Sequence, residues 1–190
     1  MLVVNTHTAL ILIDIQQGFD DPRWGPRNNV RAEERIALLL EAWRRCGWPL
    51  WHVQHFSLQP HSVFAATEEG SRIKPEVRPR AGEPLIRKHV NSAFIGTTLE
   101  EELRAAGVTN LVIVGLTTDH CVSTTARMAS NLGFQVLMPE DATATFARTG
   151  ADGGHHSAQS IHESHLASLH GEFVTVTDTV TLLTAMSAEH

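Results

Sequence analysis

Residues 9–14, ALILID, form a continuous apolar run that ends in an acid, and residues 110–115, NLVIVG, form a second such run. Short, uniformly apolar runs are typical of strands that are buried on both faces in parallel sheets. Further strands are predicted at 50–56, 84–88, 134–138 and 173–177, and helices at 31–47, 97–107, 119–133 and 157–170. Because strands and helices alternate, we predict a doubly wound, three-layer α/β/α fold with a mostly parallel sheet.

The composition fits one globular domain over residues 1–190, because no linker rich in Pro, Gly or Ser divides the chain. Hydrophobic residues make up 42% and charged residues 19%, and the net charge is −6. An acidic chain without a basic run argues against nucleic acid and against a membrane as partners. The start of the chain lacks the basic residues of a signal peptide, so we expect a cytoplasmic protein. The polar stretch 57–82 is predicted to be a long surface excursion.

Three chemically reactive side chains lie at the ends of predicted strands: Asp14, Lys88 and Cys121. Ligands of such sheets bind at the carboxyl ends of the strands. Cys121 lies in the first turn of a predicted helix, where the helix dipole lowers the pKa of a thiol and favours an oxyanion. Taken singly, the cysteine fits a small buried hydrophobe, the aspartate a helix cap and the lysine a surface charge. Together they favour a thiol nucleophile with a carboxylate base and an ammonium beside it.

The same residues carry a resemblance to the isochorismatase-like cysteine hydrolases, which include nicotinamidases and N-carbamoylsarcosine amidohydrolases. It extends from Ala9 to about Phe146 and rests on three segments: ALILIDIQQGF (9–19), RKHVNSAF (87–94) and VGLTTDHCVSTTARMA (114–129). The resemblance implies that Asp14, Lys88 and Cys121 form a catalytic triad. It also implies a cis peptide between Leu116 and Thr117, after which the backbone N–H groups of Thr117 and Cys121 form an oxyanion hole.

Four residues are candidates for binding the substrate: Phe19, Trp24, His55 and Leu116. The loop after the first strand carries Phe19 and Trp24, and aromatic side chains there suit a planar substrate. The family has an aromatic residue at the position of Phe19. An anchor for the loop, or a contact with a neighbouring subunit, is an equally good interpretation of Trp24. His55 ends the second strand near the expected pocket.

The many histidines raise the question of a metal, because nicotinamidases bind one through an Asp-x-His pair and further histidines. His52, His55 and His61 lie in the corresponding region, but Val53 stands two residues before His55, where the pair has its aspartate. An odd spacing also places His52 and His55 on opposite faces of a strand. We therefore expect no metal and no cofactor. The later histidines are predicted to lie at the surface and at helix ends: His155, His156, His162, His165 and His170.

The resemblance implies a cysteine hydrolase that cleaves a C–N bond of a small amide, carbamoyl or ureido substrate through a thioester. One alternative is a non-catalytic or redox-sensing protein of the same fold that binds a small molecule. Another is a metal-assisted amidase of the nicotinamidase type. The expected partners are a small-molecule substrate and further copies of the chain, in a homodimer or homotetramer.

Overall fold

The computed structural model describes residues 4–187, and its strands and helices alternate as the apolar runs predict. The strands are β1 (Thr8–Ile13), β2 (Leu50–His55), β3 (Leu85–Lys88), β4 (Asn110–Leu116), β5 (Gln135–Pro139), β6 (Thr143–Ala144), β7 (Arg148–Thr149), β8 (His155–His156) and β9 (Thr175–Thr177). The helices are α1 (Ala32–Cys46), α2 (Leu99–Ala105), α3 (Ser123–Asn131), α4 (Ala158–Leu169) and α5 (Thr179–Ser187). The alternation did not predict α5 or the short strands β6, β7 and β8.

The central sheet is parallel, with the strand order β3-β2-β1-β4-β5-β9 and with β6 beside β4. A small antiparallel hairpin of β7 and β8 lies apart from it. The strand order reverses between β1 and β4, and a reversal of this kind opens a crevice at the carboxyl ends of the two strands. The fold therefore directs attention to the residues that follow β1 and β4.

Two apolar layers cover the sheet, which confirms the predicted α/β/α arrangement. Along β1, Ile11 and Ile13 face the layer that also contains side chains of α2, α3 and α4. Leu10 and Leu12 face the other layer, with α1 and α5. This alternation is the period of two that a strand imposes on its side chains. Among the described helices, none combines the length and the apolar character that a membrane span requires.

Gly115 allows the ends of β1 and β4 to approach closely. It lies opposite Ile13 in the parallel register and has a φ of 125°. A Cβ atom added at this position would lie 2.0 Å from the carbonyl oxygen of Ile13. Only glycine tolerates both this φ and this contact. The missing side chain thus brings Asp14, which follows β1, near the turn that follows β4.

The excursion after β2 differs from the polar surface segment that its composition predicts. It forms two short 3-10 helices, Glu69–Ser71 and Pro75–Val77, and it buries the side chains of Lys74 and Val77. The backbone N–H of Lys74 donates to the carbonyl oxygen of Ile15 at 2.9 Å, beside the end of β1. The excursion is therefore packed against the protein beside the crevice and is not a fully solvated surface loop.

Candidate active site

Asp14 and Lys88 form a buried ion pair at the carboxyl ends of β1 and β3. Asp14 has a φ of 49°, a left-handed conformation that is uncommon outside glycine and is found at functional sites. Its Oδ2 accepts a hydrogen bond from Lys88 Nζ at 2.6 Å, and both side chains are almost fully buried. Lys88 Nζ also donates to the carbonyl oxygen of Val90 at 3.2 Å and lies 3.5 Å from His55 Nδ1. The ammonium group is thus held in place by several neighbours.

The Cys121 thiol lies close to this ion pair, and the charges of both Asp14 and Lys88 act on it. The structure therefore brings together the three reactive side chains that the sequence singles out. Burial, followed by the negative charge of Asp14, raises the pKa of the Cys121 thiol to about 12, and Lys88 offsets this only in part. The expectation that the helix dipole lowers this pKa is wrong, because burial dominates. At neutral pH the sulfur keeps its proton.

The turn that leads from β4 to Cys121 has an unusual backbone conformation. The peptide bond between Leu116 and Thr117 is cis, and Thr118–Val122 form a π-helical turn ahead of α3. The carbonyl oxygen of Thr117 accepts from the N–H groups of His120 and Val122 at 3.1 and 3.2 Å. Among the loop, turn and side-chain hydrogen bonds of residues 4–187, none uses the N–H of Thr117 or of Cys121. The Thr117 N–H thus has no partner among these bonds, and the Cys121 N–H lies within the π-helical turn.

Two side chains of this turn anchor it to the rest of the protein. Asp119 accepts hydrogen bonds from Thr145 Oγ1 and, at 2.8 Å, from Arg148 Nε. These two bonds hold the pKa of Asp119 below its usual value, although burial opposes them. On the other side, Thr118 Oγ1 lies 2.8 Å from His162 Nδ1 on α4. His162 is 3% exposed, so the predicted surface position of this histidine is wrong.

A cavity of about 160 Å³ opens above Cys121, and aromatic rings form one of its walls. The rings of Phe19, Trp24 and Phe64 lie with centroids 4.7 to 6.2 Å apart. Trp24 Nε1 also donates to the carbonyl oxygen of Gly18 at 2.8 Å. Trp24 therefore both lines the cavity and anchors its loop, the two interpretations that the sequence left open.

The two remaining candidates for substrate contact lie in different environments. His55 lines the cavity, and burial followed by the charge of Lys88 lowers the pKa of its ring, so it is neutral at neutral pH. Leu116, in contrast, is fully buried in the apolar layer that contains α1 and α5. Side chains alternate along β4, and this residue points away from the crevice. The structure therefore does not support a substrate contact by the Leu116 side chain.

Sequence reasoning missed several residues that line the cavity: Gln16, Phe64, Asn91, His120 and Arg148. Gln16, Asn91 and His120 lie inside the three family-like segments. Their closeness in sequence to Asp14, Lys88 and Cys121 could therefore have identified them as cavity residues. Phe64 comes from the excursion after β2 and Arg148 from β7. Nothing in the local sequence pattern marks either of these two positions.

The histidines of β2 do not converge on a common site. His52 Nε2 lies 2.9 Å from Glu83 Oε2, whereas His55 faces the cavity. Glu83 in turn accepts two hydrogen bonds from Arg44, at 2.7 and 2.9 Å. In the part of the chain from residue 4 to residue 187, no three His, Cys, Asp or Glu side chains are grouped so that they could hold a metal ion.

Comparisons with known proteins agree with this geometry. The profile of the Isochorismatase domain matches residues 8–180. An uncharacterised isochorismatase family protein of Bacillus subtilis is 48% identical over 182 residues, covering 96% of this chain and 97% of that protein. Maleamate amidohydrolase of Pseudomonas putida is 31% identical over 147 residues, or 68% of each chain. A crystal structure of an isochorismatase family protein from Chromobacterium violaceum superposes with a TM-score of 0.96 at 45% identity, covering 99% of this chain and 97% of that one. The chain therefore belongs to the isochorismatase family of hydrolases.

Proposed function

We propose that this hydrolase cleaves the C–N bond of a small amide, carbamoyl or ureido compound, with Cys121 as the nucleophile. The observation that carries the proposal is the contact of the Cys121 thiol with the Asp14–Lys88 ion pair at the floor of the cavity. A thiol with a pKa of about 12 needs a base at the moment of attack. Asp14 is placed to be that base, because Lys88 holds only its Oδ2.

The first half of the reaction forms a thioester. Asp14 takes the thiol proton as the sulfur of Cys121 bonds to the carbonyl carbon. The negative charge that develops on the carbonyl oxygen is stabilised by the N–H groups of Thr117 and Cys121. The tetrahedral intermediate then collapses, the C–N bond breaks, and Asp14 returns the proton to the leaving ammonia or amine. Lys88 keeps the Asp14 carboxylate oriented throughout.

The second half of the reaction restores the enzyme. Water attacks the thioester carbonyl while Asp14 accepts one of its protons, and the same two N–H groups stabilise the second oxyanion. The C–S bond breaks, the acid product leaves, and the sulfur regains a proton from Asp14. With water as the second substrate, no further group is needed for the protons to balance.

Two features support a small, flat substrate. The cavity of about 160 Å³ is bordered by the rings of Phe19, Trp24 and Phe64, which favour contact with a planar or apolar group. The relatives include a maleamate amidohydrolase and a nicotinamidase, whose names denote small amide substrates. We propose primary amides and ureido compounds of this size as the substrate class.

The experiment measures ammonia release from a panel of primary carboxamides, N-carbamoyl amino acids and ureides. We expect Cys121→Ala to lower the best wild-type rate by at least about 10³-fold, because the nucleophile is lost. Cys46, in the other apolar layer, provides a matched control, and Cys46→Ala is expected to retain the rate. Mass spectrometry of acid-quenched wild type should find the acyl group on the peptide that contains residue 121. Activity that survives Cys121→Ala would reject covalent catalysis, and binding without turnover would reject the hydrolase proposal.

A further inference from the structure

His162 and Thr118 form a buried contact behind the turn that carries Cys121. His162 lies on α4, and its Nδ1 is 2.8 Å from Thr118 Oγ1. Thr118 is fully buried and His162 is 3% exposed. The cavity is lined by Thr117 and Cys121 on either side of this contact, but not by Thr118 or His162. The contact therefore supports the turn from behind without facing the substrate.

The surroundings of His162 decide which ring nitrogen carries the hydrogen. The side-chain nitrogen of Asn29 donates to the carbonyl oxygens of Glu140 and Thr143, each at 2.7 Å, which uses both of its N–H bonds. Its 3.4 Å contact with His162 Nε2 is therefore not a donation to the ring. Burial lowers the pKa of His162, and a hydrogen bond with the Glu140 carbonyl opposes this, so the ring is neutral at neutral pH and bonds that carbonyl. We assign the ring hydrogen to Nε2, on the side of the Glu140 carbonyl, so that Nδ1 accepts from the Thr118 hydroxyl.

We propose that His162 is a positioning residue for the oxyanion hole, acting through the hydroxyl of Thr118. The inference rests on the function proposed above. Thr118 follows Thr117 directly and precedes Cys121 by three residues, so its side-chain bond holds the backbone between the two N–H donors. Donors of this kind stabilise the transition state only when they point at the developing charge, and a small displacement weakens them strongly.

The other anchor of the turn cannot be tested as cleanly. Asp119 is bonded to Arg148, and Arg148 itself lines the cavity, so a change at either residue also changes the charges that the substrate meets. His162 lies outside the cavity wall. A substitution there acts on the turn and leaves the cavity surface as it is.

The test compares two reactions of the same sulfur. In both reactions Asp14 takes the thiol proton. With p-nitrophenyl acetate, the sulfur of Cys121 bonds to the acetyl carbon, an oxyanion forms, and the ester C–O bond breaks as p-nitrophenolate leaves. With methyl methanethiosulfonate, the sulfur forms an S–S bond with the methylthio group and methanesulfinate leaves, so no carbonyl oxyanion arises. Both second-order rates are measured at one pH, and mass spectrometry locates each modification. The ratio of the two rates reports on the oxyanion hole separately from the thiol.

We expect His162→Phe, which keeps a ring but has no acceptor, to lower the second-order ester rate about 10- to 100-fold. Its thiosulfonate rate should change less than about threefold, because the thiol, Asp14 and Lys88 are untouched. His162→Asn places an acceptor near the position of Nδ1 and should restore most of the ester rate. His162→Gln reaches only towards Nε2 and should not restore it.

Variants of Thr118 test the same hydrogen bond by changing the hydroxyl group instead of the histidine. Thr118→Val removes the hydroxyl and should lower the ester rate as His162→Phe does, whereas Thr118→Ser should retain it. In the double variant the two losses should not add, because both break one bond. If His162→Phe does not fold, the pair Thr118→Val and Thr118→Ser decides the question.

His165→Phe is the matched control, because this histidine lies on the same helix one turn away and is also partly buried. It should leave the ratio of the two rates unchanged. Equal ester rates in wild type and His162→Phe, or an equal loss of both reactions, would overturn the positioning role alone. Absence of an acetyl group on Cys121 in wild type would instead reject the function on which the inference rests.

Discussion

Two buried lysines, Lys88 and Lys74, each form ion pairs with carboxylates. The two sites differ in whether the buried carboxylate keeps an oxygen atom without a hydrogen bond. Lys88 Nζ donates to Asp14 Oδ2 at 2.6 Å, at the floor of the cavity. Lys74 Nζ donates to Asp20 Oδ1 at 2.5 Å and to Glu33 Oε1 at 2.7 Å, where the excursion after β2 meets α1. In both places an ammonium group is withdrawn from water and compensated by carboxylates.

The difference lies in what remains available on the carboxylate. Both oxygens of Glu33 are occupied, since Arg27 also donates to each of them. Asp14 Oδ1, in contrast, has no hydrogen-bond partner among the described residues, and Asp14 lines the same cavity as Cys121. A carboxylate with every oxygen bonded can only hold the structure together, whereas one with an open oxygen can accept a proton. The distinction applies to the two buried carboxylates, Asp14 and Glu33, because Asp20 is 65% exposed.

The largest expected effect comes from Lys88→Met. This change leaves the Asp14 carboxylate buried without its cation, which favours the protonated acid and removes the base. We expect turnover of the best panel substrate to fall about 10²- to 10⁴-fold. Lys74→Met is the matched control and should lose less than about tenfold, measured at equal concentrations of folded protein. Equal losses in the two variants would contradict the distinction between the pairs.

Lys74→Met should instead act on stability. Removing one partner of a buried ion pair leaves charge uncompensated, although Arg27 still pairs with Glu33. We expect the free energy of unfolding to fall by about 3 kcal/mol, measured by urea denaturation. A loss below about 1 kcal/mol would mean that the Lys74 pair contributes little, and the comparison would then rest on Lys88 alone.

The smallest effect is a pH dependence centred on Glu33. Burial raises the pKa of this carboxyl, but hydrogen bonds from Arg27 and Lys74 outweigh it and lower the pKa from 4.5 to about 2. A depressed pKa contributes stability above 4.5 that is lost as the pH falls towards 2. Between pH 5 and pH 3 we expect wild type to lose about 1–2 kcal/mol more unfolding free energy than Glu33→Gln. Parallel curves for the two proteins would show that Glu33 titrates normally.

The sequence predicted those features of the fold and the site that depend on short, uniformly apolar strands. The runs at 9–14 and 110–115 indicate β1 and β4, and Asp14 stands at the end of the first of them. The end of a buried parallel strand has one fixed place in the fold, so residues found there converge. Lys88 and Cys121 also stand at the ends of predicted strands, and the resemblance of the three segments implies that they form a triad with Asp14.

The features that the sequence did not predict depend on contacts between distant parts of the chain. The excursion after β2 has a polar composition, and yet Gln16 Nε2 donates to the carbonyl oxygen of Ser71 at 2.7 Å and draws the segment inwards. As a result of such contacts Lys74 is buried and Phe64 is half-buried. The burial of His162 likewise depends on the turn against which it packs. The raised pKa of Cys121 depends on the burial of its thiol, which its position at the start of a helix does not indicate.

The protonated state of the Cys121 thiol has a consequence for its resistance to oxidation. Peroxide and other oxidants attack the thiolate far faster than the thiol, so we expect the raised pKa of Cys121 to slow its oxidation. The same property makes the residue a poor sensor of oxidative stress, because such sensors rely on thiols that ionise readily. Inhibitors that trap a pre-ionised sulfur should react slowly with this protein, whereas compounds that first engage the open oxygen of Asp14 should react faster.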